Sequence, residues 1–228
     1  RPGAAVAPSP GLGGAALTTY AGQIPFTNPG AGNSYLMRFE GAATVQASWT
    51  LYDRLWHNSG LVTTTTTAQT ITSVAWPARD ANGATLGDGV MVGIEVSTVT
   101  GNAGAITNTT MSYTNQAGTA GQVATIASFP ITAVAGTIVW FQLAAGDTGV
   151  RSIQTVTLGT SYVSGAIHLI AVRYLAKIRT LLANVSDAVD AVTGGFVRLY
   201  DNTVPMLVQL ATATTATTFD GSMTVTQG

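Results

Sequence analysis

Asp53, His57 and Ser59 fall close together in the chain and supply the residue types of an orienting carboxylate, a base and a nucleophile. Such a set works only when the imidazole reaches both partners within hydrogen-bond distance. Residues four apart share a face on a helix, whereas the segment around Asp53 alternates as a strand does. The three therefore read as strand-end and turn residues. His168 sits inside an apolar run and reads as a core or interface histidine with one nitrogen satisfied. Asp80-Ala81-Asn82-Gly83 and Asp88-Gly89 superficially suggest a calcium loop, but the alternate oxygen ligands and terminal Glu of an EF-hand are missing. Ordinary Asx turns are expected there. Gly11-Leu12-Gly13-Gly14 lacks the Lys and the strand–helix context of a phosphate loop. The ten carboxylates show no paired catalytic motif, and a glycosidase-type pair could arise only through folding. Trp49, Trp56, Trp76 and Trp140 could stack on sugars, although in an alternating β protein tryptophans usually fill the core. Trp76 is the interaction candidate, because Trp76-Pro77 lies at a strand end beside a turn.

Composition narrows the chemistry further. The 228 residues contain no cysteine, which removes disulfides, thiol catalysis, zinc-thiolate sites and iron–sulfur clusters within this chain. There is one lysine, Lys177, and only two glutamates, Glu40 and Glu95. No cofactor, no metal and no enzymatic activity are expected. A net charge of -1 with no basic run argues against a nucleic-acid partner. Charged residues make up 8% of the chain, against about a quarter in ordinary soluble proteins. Mean hydropathy is nevertheless +0.32. Thr, Ser, Asn and Gln supply the polar surface, which suits contact with other subunits, so a homo-oligomer is expected. Its contacts should be insensitive to salt, since few charges are available to be screened. No membrane span is expected: the most apolar stretch, Ala166 to Ala176, is interrupted by His168, Arg173 and Tyr174 and falls short of about 20 residues. The opening residues lack the apolar stretch of a signal peptide.

The elements that would position these groups are strands. Thr44–Trp56 alternates, with Val45, Ala47, Trp49 and Leu51 on one face. Val90, Val92, Ile94 and Val96 mark a buried strand. Further strands are expected over Tyr35–Phe39, Thr63–Val74, Thr107–Asn115, Gln122–Phe129, Thr137–Leu143, Val150–Leu158, Ala166–Leu175, Phe196–Tyr200, Met206–Ala211 and Met223–Thr226. Gly- and Asn-rich turns separate many of them. A helical period over Leu175, Ile178, Leu181, Leu182, Val185, Val189 and Val192, stopped by Gly194-Gly195, predicts one short helix between about Ile178 and Thr193, with Ser186 as a candidate cap. The fold class is all-β: an antiparallel, jelly-roll-like β-sandwich over residues 34–228. Residues 1–33, rich in Gly, Ala and Pro, read as an extended arm that reaches a neighbour and is anchored through Ile24 and Phe26.

Four segments carry a resemblance. Thr50-Leu51-Tyr52-Asp53-Arg54-Leu55, Met111–Gly118, Ala144–Ser152 and Arg198-Leu199-Tyr200-Asp201 resemble segments of a group of tailed-bacteriophage virion structural proteins, a likeness spanning roughly residues 25 to 228. The resemblance implies a virion location and a non-enzymatic, β-rich accessory role, and carries over no functional residues. The major capsid protein itself is not implied, because its long spine helix and extended charged loop have no counterpart here. A capsid decoration or cement protein fits, with the major capsid protein or other virion proteins as partners. The alternatives are a tail or fibre component contacting the host surface and a carbohydrate-binding β module.

Overall fold

The computed structural model describes residues 6–212 and 216–228. In chain order its strands are β1 (Ala15–Ala16), β2 (Ser34–Ala43), β3 (Ala47–His57), β4 (Gln69–Thr70), β5 (Val90–Thr98), β6 (Ile106–Asn115) and β7 (Gln122–Phe129). They continue with β8 (Ile138–Trp140), β9 (Val150–Thr157), β10 (Ala166–Thr180), β11 (Asp187–Asp190), β12 (Val197–Leu199), β13 (Pro205–Ala211) and β14 (Phe219–Gln227). A single turn of helix, α1 (Ala191–Gly194), stands before β12. Strand accounts for 46% of the described residues and helix for 2%, and the protein is an all-β antiparallel sandwich. Among the described residues, no helix is long and apolar enough to cross a membrane.

The chain forms two compact units, and the division falls inside two long strands. β3 passes from the second unit to the first between Asp53 and Arg54, and β10 passes back between Arg173 and Tyr174. In the first unit, β1, the end of β3, the start of β10, β5 and β8 form one sheet, and β4, β9, β6 and β7 form another. The inward side chains of both make one core, including Trp56, Trp76, Val92, Ile94, Met111, Tyr113, Phe129, Ile153 and Leu169. Val90, Val92, Ile94 and Val96 of β5 are almost wholly buried, as their alternation requires. Burying a side chain of this kind contributes about 1.5–3 kcal/mol. Gly93 interrupts the branched residues because the Trp140 ring crosses the strand there; a Cβ would lie 2.7 Å from it.

In the second unit, β2 is central. Residues along β2 pair with β14 and also with β11 or β12, so β14 takes one edge and β11 and β12 share the other. The opposing sheet holds the start of β3, the end of β10 and β13. Leu36, Phe39, Trp49, Leu51, Leu175, Ile178 and Leu199 form the core, with the Trp49 and Phe219 rings 4.4 Å apart.

Two sequence expectations are corrected. The threonine-rich stretch over 63–74 contains only the two-residue β4. A side chain closes that loop instead: Gln69 Oε1 accepts from Val62 N–H at 2.8 Å and Gln69 Nε2 donates to Val62 C=O at 3.0 Å. The helix expected between about Ile178 and Thr193 is β10, a loop, β11 and then α1. Pairing of β10 with strand neighbours overrides the helical period. The cap is Asp190, not Ser186: its side chain accepts from the N–H groups of Val192 and Thr193.

Candidate functional site

Three buried ionisable residues stand on separate strands: Arg54 on β3, Glu95 on β5 and His168 on β10. The order of strands brings them together in the first unit. His168 and Glu95 are direct cross-strand partners. Arg54 Nη1 lies 2.7 Å from Glu95 Oε2, and His168 Nε2 lies 2.6 Å from the same oxygen. All three side chains are buried. The other Arg54 nitrogen, Nη2, donates to His57 Nδ1 at 3.3 Å. The guanidinium also sits 4.3 Å from the centre of the Tyr20 ring, which meets the His57 ring in a T-shaped contact. The cluster thus ties β3, β5, β10 and the segment before Gly22.

The electrostatics follow from burial. Burial pushes the Glu95 carboxyl up, but the His168 hydrogen bond and the Arg54 charge outweigh it and hold Glu95 below its ordinary value. Burial, with the nearby positive charge of Arg54, lowers His57 to about 4. A neutral His57 is what the geometry needs, since its Nδ1 accepts from Arg54. Tyr20 is raised, chiefly by burial, with Arg54 opposing. Arg54 and Glu95 pair as cation and anion, and the same carboxylate oxygen also receives His168 Nε2. Chemically this is a buried, ion-paired tie between strands. Sequence reasoning assigned Arg54 and Glu95 no site role; Glu95 was legible as a solitary charge amid apolar strand residues, whereas Arg54 stands beside Asp53.

The Asp53, His57 and Ser59 set does not become a triad. Asp53 accepts from Val204 N–H at 2.9 Å, Ser59 Oγ accepts from Gly11 N–H at 2.8 Å, and His57 serves Arg54. The suspected calcium loop is an Asx-type loop. Asp80 Oδ1 accepts from the N–H groups of Asn82 and Ala84, and Oδ2 from those of Leu86, Gly87 and Asp88. Among the described residues no group of three or more His, Asp or Glu is placed to hold a metal.

Trp76 lies in the first core, 2% exposed. Its Nε1 donates to Val150 C=O at 2.6 Å and its ring meets Trp56 at 5.1 Å. Ile24 and Phe26 pack, partly buried, against the second unit's own core, and Ile24 N–H bonds to Pro205 C=O at 2.9 Å. Gly14 and Gly13, within the expected arm, turn beneath Trp56, whose Nε1 donates to Gly13 C=O at 3.2 Å.

One end of the second unit presents a different surface. The loop after β10 exposes Leu181, Leu182 and Val185, and the end of β13 exposes Leu210, each by more than half. Hydrogen bonds gather these around one turn: Gln46 Nε2 donates to Leu181 C=O, Thr212 Oγ1 to Gln46 C=O, and Asn184 N–H to Ala43 C=O. No charged residue occurs over 181–186 or 206–218. Comparison with protein-family models, with curated proteins and with solved structures finds no match.

Proposed function

We propose that this chain is a non-enzymatic structural protein of a tailed-bacteriophage virion, acting as a capsid decoration or cement protein that binds the assembled shell. The observation that carries this reading is the uncharged, leucine-bearing end of the second unit. A contiguous exposed apolar patch marks a contact with another macromolecule, and repeated weak contacts across a lattice sum to firm retention. Low overall charge supports the same reading, because a surface of Thr, Asn and Gln meets a protein neighbour without repulsion. The Arg54–Glu95–His168 cluster, buried and paired within the unit, suits a structural role. The resemblance of the four segments noted above supplies the virion location.

The test is a cryo-electron-microscopy map of particles that contain the protein. Density on the shell at hundreds of copies is expected. A few copies confined to the tail would favour the tail or fibre alternative, and absence from the particle would overturn the virion reading. Leu181→Lys and Leu182→Lys should lower shell occupancy while leaving the circular dichroism spectrum unchanged.

A further inference from the structure

A sheet edge leaves every second residue's backbone groups pointing away from the sheet. In the second unit, β13 is such an edge, paired in unbroken register with β3 from Pro205↔Asp53 to Ala211↔Ala47. Two contacts fix which residues point outward. Pro205 C=O is turned away from β3 and accepts from Ile24 N–H. On the neighbouring strand, Ala47 C=O is turned away from β13 and accepts from Thr180 Oγ1 at 3.2 Å. The alternation therefore directs the N–H and C=O groups of Leu207, Gln209 and Ala211 outward.

Edges are normally guarded by charge, bulges, proline or a covering segment. Here proline and cover protect only the start. Pro205 has no N–H, and its carbonyl is already taken. From Met206 to Ala211 there is no charged residue and no register break. Gln209, Leu210 and Ala211 are exposed, Leu210 by 68%. A partner strand can thus engage β13 from Leu207 to its end at Ala211.

We propose that β13 is a self-association edge, through which two copies of this chain pair antiparallel over Leu207–Ala211 about a two-fold axis at Gln209. In that register each Gln209 N–H donates to the partner's Gln209 C=O, and Leu207 and Ala211 exchange bonds reciprocally. Val208 faces the partner's Leu210 on one side of the joined sheet, covering the exposed leucine. Leu207 faces the partner's Ala211 on the other. A second copy is the occupant because its edge is open over the same five residues and closed before them by Pro205 and the bond from Ile24. The pairing also sets no like charges opposite one another, and a chain of net charge -1 approaches its copy with little repulsion. This inference does not rest on the virion reading: the dimer covers Leu210 and leaves Leu181, Leu182 and Val185 outside the paired residues.

The experiment uses the purified full chain. Native mass spectrometry and sedimentation over a concentration series should show a monomer–dimer equilibrium. Gln209→Lys sets two like charges face to face and should weaken dimerisation about three- to fivefold at low ionic strength; Gln209→Glu should do the same. An equimolar mixture of the two variants should form more heterodimer than the statistical half. Gln209→Pro, which removes the central donor, should abolish the dimer, and circular dichroism checks that each variant folds. A wild-type chain monomeric at all concentrations, charged variants that dimerise like wild type, or a mixture without heterodimer preference would each overturn the proposal. A monomer is also the result expected if β13 instead receives a strand from a different protein.

Discussion

His168 and Glu95 face each other directly across β10 and β5, with Nε2 2.6 Å from Oε2, the oxygen that also receives Arg54. Two donors on one buried carboxylate oxygen make the cluster sensitive to the loss of any one member. Glu95→Gln keeps an acceptor for His168 but leaves the Arg54 charge buried without its counter-ion. Breaking such a pair from one side costs about 3–5 kcal/mol, whereas removing both charges is often close to neutral. Glu95→Gln should therefore destabilise the protein by that amount in urea unfolding, and Glu95→Gln/Arg54→Met should recover most of the loss. A double variant less stable than the single one would show that the ion pair itself contributes net stability.

Acid should destabilise the protein in two stages. His57 is lowered from 6.5 to about 4 in the folded chain, so between those values the unfolded chain takes up a proton that the folded chain refuses. Stability rises with pH wherever the unfolded state binds more protons, and it must fall as pH drops from 6.5 towards 4. Glu95, held below its ordinary carboxylate value, adds stability above that value, which is lost as pH falls through its folded value. The slope from His57 should be shallow because the ring is partly exposed and screened. His57→Phe should flatten the urea-midpoint profile between pH 6.5 and 4 and leave the lower limb in place. An unchanged upper limb would assign the effect to another group.

Gly14 is placed where no side chain fits. Its φ is +71°, and an added Cβ would stand 2.3 Å from the Trp56 ring, which is held in place by its bond to Gly13 C=O. Gly146 also has positive φ, +91°, but faces open space. Gly146→Ala should cost only the left-handed penalty of about 1–2 kcal/mol. Gly14→Ala adds overpacking of about 1–3 kcal/mol. Unfolding followed by tryptophan fluorescence should separate the two variants, with Gly14→Ala the less stable.

Much of the sheet framework was legible. β6, β7 and β9 match their expected ranges to within a residue, because alternation and flanking turn residues agree there. The threonine stretch misled because β-branched residues favour strands only when a neighbour pairs with them, and Gln69 closes that stretch as a loop. The false helix arose from apolar residues that happen to keep a helical period across β10, a loop and β11. The division inside β3 and β10 leaves no compositional mark, since each strand reads as one continuous run. At the candidate site, local motifs drew attention to Asp53, His57 and Ser59, which the fold assigns to separate hydrogen bonds. Arg54, Glu95 and His168 are far apart in sequence, and only the strand order joins them. Trp76, suspected from its place beside a turn, faces inward because its N–H finds Val150 C=O.

Asp80 organises its loop through backbone donors. Both carboxylate oxygens are engaged, Oδ1 by two N–H groups and Oδ2 by three, and the residue is fully buried. Hydrogen bonds to a charged acceptor are each worth about 1.5–3 kcal/mol, but they do not add when one loop makes them all. Asp80→Ala leaves the whole set of donors without an acceptor and should cost at least about 3 kcal/mol, the value of one strong bond of this kind. Asp80→Asn should fall between wild type and Asp80→Ala, because it keeps one acceptor oxygen but turns an NH₂ group towards N–H donors. A calcium ion would have to compete with these amides for the same lone pairs. The thermal midpoint of the wild-type protein should therefore be the same in millimolar calcium as in chelator. A midpoint that rises with calcium and loses that rise in Asp80→Asn would show that the loop opens to the ion.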